Sequence, residues 1–141
     1  MAKVTKERLF TFIKGYKLAV LSTITAKGTP QSALVGIAVT SELEIVFDTV
    51  KSSRKYGNLI ANPAAAFVVG CSGEETLQFE GVARQPVGEE LARYQAAYFE
   101  TYPDGPSRLS WPGICYFVVK PKWIRFSDYG DTPALIEELT F

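Results

Sequence analysis

The segment FDTVKSSRK, residues 47–55, joins a predicted strand to a predicted helix. Serine is a favoured N-cap residue, so Ser52 or Ser53 begins the helix and Arg54 and Lys55 occupy its first turn. Cations are disfavoured there, because the helix dipole is positive at that end. Backbone N–H groups, serine hydroxyls, a guanidinium and an ammonium would converge on one small volume, which favours a bound phosphate. On charge alone, two simply solvated cations explain the pattern equally well.

The sequence on either side predicts strands connected by short turns, with three helices between them. The central helix covers 53–61 and stops at Asn62-Pro63, because a residue before proline avoids helical dihedral angles. Gly81, inside a predicted strand, indicates a bulge or a close backbone approach. Two further helices are predicted at 6–14 and 89–101. Strands are predicted at 18–25, 31–40, 43–48, 64–71, 76–85, 114–120 and 123–128. A tight Lys120-Pro121-Lys122 connection links the last two strands.

This order predicts a mainly β (α+β) fold, an antiparallel sheet curled into a small closed or half-closed barrel. Closing a sheet removes the edges that invite aggregation. A parallel, doubly wound sheet needs a helix after nearly every strand, and that alternation is absent. With 141 residues and no visible boundary, we expect a single domain over residues 1–141.

Composition excludes several classes of function. Lys plus Arg and Asp plus Glu each total 15, which argues against a protein that coats nucleic acid. No apolar run is long enough to span a bilayer and no signal peptide is apparent, so we expect a cytoplasmic protein without membrane contact. The sequence contains no histidine, which excludes Ser-His-Asp and Cys-His catalysis and His-ligated heme. Cys71 and Cys115 lack metal-like spacing; we expect no metal site and two small buried thiols.

The run 47–55, followed by Asn58-Leu59 and Asn62-Pro63, resembles the core motif of the pyridoxamine 5′-phosphate oxidase-like, FMN-binding split-barrel family. The first hairpin, with its Gly28-Thr29-Pro30 turn, and the stretches 78–83 and 117–126 resemble the same family in the same order. The resemblance covers nearly the whole chain. It implies an antiparallel six-stranded split β-barrel with flanking helices.

The resemblance also implies which residues contact the cofactor FMN. The backbone of the second strand would line the isoalloxazine ring. The end of the third strand would approach the ring and ribityl chain, and the helix start would hold the phosphate. For Leu34 and Val35, ordinary core packing is an equally good explanation, and Trp111 either covers a cofactor ring across a subunit interface or packs locally. The implied contacts are Ala33, Leu34, Val35, Asp48, Thr49, Ser53, Arg54, Lys55, Gln78 and Trp111.

The same resemblance implies a homodimer with the cofactor at its interface, and an oxidoreductase acting on a small molecule. Pyridoxamine phosphate oxidase proper has an arginine where this chain has Ala33, and a histidine-containing motif that is absent here. The expected substrate is therefore not pyridoxamine phosphate, and no catalytic residue is assigned. Alternatives are a reductase using the deazaflavin F420, a non-catalytic flavin-binding protein and, as the weakest, an oligonucleotide-binding barrel.

Overall fold

The computed structural model describes residues 4–70 and 72–141. Its three α-helices are α1 (Lys6–Lys14), α2 (Arg54–Ala61) and α3 (Gly88–Thr101), and a 3₁₀ segment spans Gly105–Ser110. Its strands are β1 (Leu18–Ile24), β2 (Pro30–Gly36), β3 (Ala38–Val39), β4 (Ile45–Val50), β5 (Ala64–Val69), β6 (Glu75–Arg84), β7 (Ile114–Asp128) and β8 (Leu135–Thr140). No helix among the described residues is long and apolar enough to cross a membrane.

The strands form one antiparallel sheet in the order β2-β1-β5-β6-β7-β4-β3, with β8 added beside β7. The long strand β7 curls the sheet, because its first half pairs with β4 and its second half pairs with β8, while β6 runs along most of its length. The result is a half-barrel flanked by helices, which confirms the predicted fold class.

The closing hairpin predicted around Lys120-Pro121-Lys122 is wrong. The chain continues through Pro121 as one strand of 15 residues, so β7 replaces two predicted strands. Pro121 is accommodated at a bulge, where the register with β6 shifts between Glu80 and Gly81 and no regular ladder bond is needed. The bulge predicted at Gly81 is confirmed: a Cβ there would collide with the carbonyl oxygen of Lys120.

Among the described residues the sheet has eight strands, where the sequence pattern predicted seven and the resemblance implied six. The predicted strand 31–40 is divided into β2 and β3, two predicted strands are joined in β7, and residues 135–140, for which no strand was predicted, form β8. In β8, alternate residues are half-buried; Leu135 and Leu139 pack on the core while Glu138 accepts a hydrogen bond from Trp123 Nε1 at 2.9 Å. Cys115 is buried, as expected; Cys71 lies outside the described residues.

The sheet separates two apolar clusters. The larger fills the inside of the half-barrel, under α1 and α2, and includes Phe47, whose ring stacks on Phe117 with centroids 5.5 Å apart. The smaller lies between the sheet and α3, and contains Val46 with Tyr98. Because strand residues alternate between faces, β4 sends Thr49 to the inner cluster's side and Asp48 to the α3 side.

Candidate anion-binding site

The start of α2 is fixed by Ser53, which has extended dihedral angles and caps the helix. Its Oγ accepts a hydrogen bond from the backbone N–H of Tyr56 at 3.3 Å. The same oxygen lies 2.9 Å from Oγ1 of Thr49, a buried residue near the end of β4. The strand end therefore holds the helix start in place, and Arg54 and Lys55 occupy the first turn as the sequence predicted.

Among the described residues, the two cations of this turn have no acidic partner at ion-pair distance. The first turn of α2 contains no Asp or Glu, and among residues 4–70 and 72–141 neither Arg54 nor Lys55 forms an ion pair. Both border a cavity of about 200 Å³. Two uncompensated cations beside the positive end of a helix dipole attract an anion. The cavity is lined by Leu21, Thr23, Gln31, Ser32, Ala33, Arg54 and Lys55.

Three polar side chains tie α2 to the first hairpin beside this cavity. The Asn58 carboxamide nitrogen lies 3.0 Å from Thr23 Oγ1 and 2.7 Å from the Gln31 carboxamide. With its oxygen turned toward Arg54, the Gln31 carboxamide lies 2.8–3.0 Å from the three guanidinium nitrogens. The sequence interpretation missed Thr23, Gln31 and Asn58. Strand alternation was the available signal, because it places the polar Gln31 on the same face as Ala33.

The predicted residues of β2 have different environments. Ala33 lines the cavity. Leu34 is 64% exposed on the outer face of the sheet, opposite Val20 of β1, and Val35 is buried in the inner core. Side-chain packing thus explains Val35, and Ala33 is the member of this group whose side chain borders the cavity.

The carboxylate of Asp48 faces away from the cavity, toward α3. It accepts hydrogen bonds from Tyr98 Oη at 2.9 Å and from Arg108 Nε at 3.1 Å. Arg108 Nη1 also donates to Asp104 at 2.8 Å. Burial, followed by the charge of Asp48, raises the pKa of Tyr98 well above its ordinary value of 10.0. The Asp48 side chain therefore anchors the 3₁₀ segment and α3 to the sheet rather than lining the cavity.

Gln78 and Trp111 also lie outside the cavity. Gln78 is exposed on β6, between Val68 of β5 and Arg125 of β7. Trp111 follows the 3₁₀ segment, is 52% exposed, and has the Arg108 guanidinium 6.0 Å from its ring centroid. Within one chain, the structure brings together Ala33, Ser53, Arg54 and Lys55. The Thr49 hydroxyl lies at hydrogen-bond distance from the Ser53 hydroxyl and so helps to fix its position.

The family model of pyridoxamine 5′-phosphate oxidase matches residues 5–128. The chain therefore belongs to the pyridoxamine 5′-phosphate oxidase-like split-barrel family. No curated protein matches its sequence.

Solved structures share the fold at low sequence identity. A heme binding protein from Mycobacterium smegmatis has a TM-score of 0.83 and 18% identity over 99% of this chain, which spans 60% of that protein. The heme storage protein HutZ from Vibrio cholerae has a TM-score of 0.70 and 17% identity, with 82% of this chain and 88% of that chain covered. A pyridoxamine 5′-phosphate oxidase-related, FMN binding protein from Nostoc punctiforme has a TM-score of 0.67 and 12% identity, with 89% and 86% covered. At these identities the likeness shows the fold alone.

Proposed function

We propose that this protein is a cytoplasmic FMN-binding oxidoreductase that holds the FMN phosphate at the start of α2. The observation that carries the proposal is the pair of cations, Arg54 and Lys55, without an acidic partner among the described residues and beside a cavity. An arginine fork matches two phosphate oxygens, and a lysine adds a point charge. The residues present therefore fit a phosphate-bearing cofactor.

FMN, when bound, supplies hydride and single-electron chemistry of its own. The chain's part is then to bind the phosphate, to orient the ring and to limit access to it. Ala33 adds no charge near the cavity, and the chain has no histidine. Both features favour a small substrate other than pyridoxamine phosphate.

FMN is favoured over heme by the donor groups of this chain. Two of the structural neighbours bind or store heme, according to their descriptions. Histidine, a common axial ligand of heme iron, is absent from the whole sequence. Cys115 is buried at 7% exposure, and burial raises the pKa of its thiol, which disfavours the thiolate that would ligate iron.

A homodimer is part of the proposal, and the outer face of the sheet supports it. Leu34, Val68 and Val82 are exposed there at 64%, 41% and 36%. A groove of about 360 Å³ runs beside them and is lined partly by Ala64 and other small or apolar residues. Exposed apolar surface of this kind is typical of protein interfaces. A second copy on this face would bring its own side chains toward Gln78.

The direct test is the visible absorption spectrum of the purified protein and the mass of any released chromophore. We expect a flavin spectrum and the mass of FMN, either as purified or after incubation with FMN. A protein that stays colourless with FMN contradicts the proposal, as does one that takes up hemin in its place.

Two further measurements separate the alternatives within the family. Competitive titration with FMN and F420, followed by fluorescence quenching, is expected to favour FMN; markedly tighter F420 binding would assign the deazaflavin. Reduction of the bound flavin by NADH or NADPH faster than free flavin supports an enzyme. Reduction no faster than that of free flavin would indicate a binding protein without turnover.

A further inference from the structure

A continuous series of polar side chains leads from the inside of the sheet to Arg54. It begins at Thr23, which is only 2% exposed, passes through Asn58 of α2 and reaches Gln31 of β2. Gln31 then contacts the guanidinium of Arg54. The series therefore links β1, β2 and α2 at the wall of the cavity that Arg54 borders.

The two carboxamides can be oriented so that every contact is satisfied. When both are turned, Gln31 donates its N–H to the Asn58 oxygen, and the Thr23 hydroxyl donates to that same oxygen. The Gln31 oxygen then faces the cation of Arg54. This orientation places a partial negative charge against a full positive charge and leaves no donor facing a donor.

The Gln31 oxygen contacts the face of the guanidinium rather than its edge. It lies 3.0 Å from Nε and 2.8 Å from each terminal nitrogen of Arg54. In the plane of a guanidinium, no point outside the ion is that close to all three nitrogens, so the oxygen sits over the face. An oxygen over the face leaves the in-plane edge, the fork that recognises phosphate, directed away from Gln31, and Arg54 also borders the cavity.

A neutral partner is better suited than a charged partner to fixing Arg54 in place for anion binding. Arginine is a long side chain that loses rotamer entropy when it is fixed. A carboxylate could fix it too, but would neutralise the charge that attracts the anion. Gln31 restricts Arg54 and leaves its full charge, and Asn58 restricts Gln31 in turn.

We propose that Gln31, held by Asn58 and Thr23, is a positioning residue that presents the guanidinium edge of Arg54 to a phosphate monoester. The proposal rests on the proposed function, because it assumes that the α2 start binds the FMN phosphate. It goes further because it assigns phosphate selectivity to Gln31, a neutral residue on β2 that lies outside the α2 start. Gln31 itself binds Arg54 and is not a catalytic residue.

The test compares affinities for FMN and for riboflavin, which has the same ring without the phosphate, in the full-length protein. The variants are Gln31→Leu and Gln31→Glu, with Gln95→Leu on α3 as the matched control. For Gln31→Leu we expect FMN affinity to fall about tenfold, because a mobile Arg54 loses about one charge-assisted contact with the phosphate, with riboflavin affinity unchanged. For Gln31→Glu we expect a larger loss of FMN affinity that shrinks at high salt, because the new carboxylate pairs with Arg54 and repels the phosphate.

The outcomes separate this proposal from the one it rests on. If the unmodified protein binds FMN no better than riboflavin, the phosphate site itself is refuted. If it prefers FMN and Gln31→Leu keeps that preference, the positioning role is refuted and the phosphate site stands. If Gln31→Leu weakens both flavins equally and lowers the melting temperature, Gln31 is a structural brace and the positioning role is again refuted.

Discussion

The most informative single substitution away from the cavity is Asp48→Ala. The sequence assigned Asp48 to the cofactor, whereas in the structure its carboxylate joins Tyr98 and Arg108 on the opposite face of the sheet. The side chains of Asp48 and Arg108 are 15% and 16% exposed. Truncation to alanine therefore leaves the Tyr98 phenol without its acceptor and removes one of the two carboxylates that Arg108 contacts, in a mostly buried place.

The expected cost follows from these contacts. A hydrogen bond to a charged group contributes about 1.5–3 kcal/mol, and breaking a fully buried ion pair costs about 3–5 kcal/mol. Partial exposure lets water replace some of the loss, and Arg108 keeps its contact with Asp104. We therefore expect Asp48→Ala to lower the free energy of unfolding by about 2–4 kcal/mol, and the melting temperature by roughly 5–15 °C.

The assay is urea unfolding of the flavin-free protein, combined with FMN titration well below the melting temperature. Asp104→Ala is the matched control, because that carboxylate is 70% exposed and its pair with Arg108 is expected to contribute less than about 1 kcal/mol. FMN affinity of Asp48→Ala should stay within about twofold of the unmodified protein, a change too small for a lost cofactor hydrogen bond. If stability were unchanged while FMN affinity fell tenfold or more, the Asp48 carboxylate would contact the cofactor and the structural assignment would be refuted.

Three further predictions concern the fold and its assembly. Gly81→Ala should lower the free energy of unfolding, measured in urea, by about 2–3 kcal/mol, because its Cβ meets the Lys120 carbonyl. The control Gly57→Ala in α2 places its Cβ in open space and should raise the free energy of unfolding by about 0.5–1 kcal/mol. Equal effects of the two substitutions would contradict the bulge geometry. The pKa of Tyr98 is higher in the folded than in the unfolded chain, so its contribution to stability is complete below pH 10.0 and is lost as pH rises above that value. Urea midpoints should therefore fall as pH is raised above about 10, and less steeply in Tyr98→Phe; parallel slopes would contradict this. Leu34→Glu should convert the proposed homodimer to monomers in sedimentation measurements, and an unchanged mass would remove the outer sheet face from the interface.

Local signals predicted much of the architecture. A capping serine and an Asn-Pro stop defined α2, and its bounds differ from the prediction by one residue at the start. The bulge at Gly81 followed from a glycine within a strand pattern. These features depend on neighbouring residues, so the sequence carries them without knowledge of the tertiary structure.

The errors arose where distant contacts override local signals. Pro121 was taken as part of a turn, because its tolerance within β7 depends on the register shift against β6, where residues 121–123 of β7 lie opposite Glu80 and Gly81. No strand was predicted after residue 128, because the strand β8 exists only through its pairing with β7.

Part of the candidate site was predictable from the sequence, because that part depends only on neighbouring residues. The start of α2 is local, so Ser53, Arg54 and Lys55 were found together. The side chains of Asp48 and Thr49 lie on opposite faces of β4, as strand alternation requires, so Thr49 and not the Asp48 carboxylate contacts Ser53. Gln31 escaped notice because its role depends on a helix that lies more than 20 residues later in the chain.

The central claim is that the start of α2 recognises the phosphate of a flavin nucleotide. Its most direct test is the ratio of FMN to riboflavin affinity in the unmodified protein and in the double variant Arg54→Ala, Lys55→Ala. We predict that the unmodified protein prefers FMN, and that the double variant loses about 100-fold or more in FMN affinity, as two charge-assisted contacts imply, with a much smaller loss for riboflavin. Equal losses for the two flavins would contradict the claim, because the segment would then support the fold or the ring and not the phosphate.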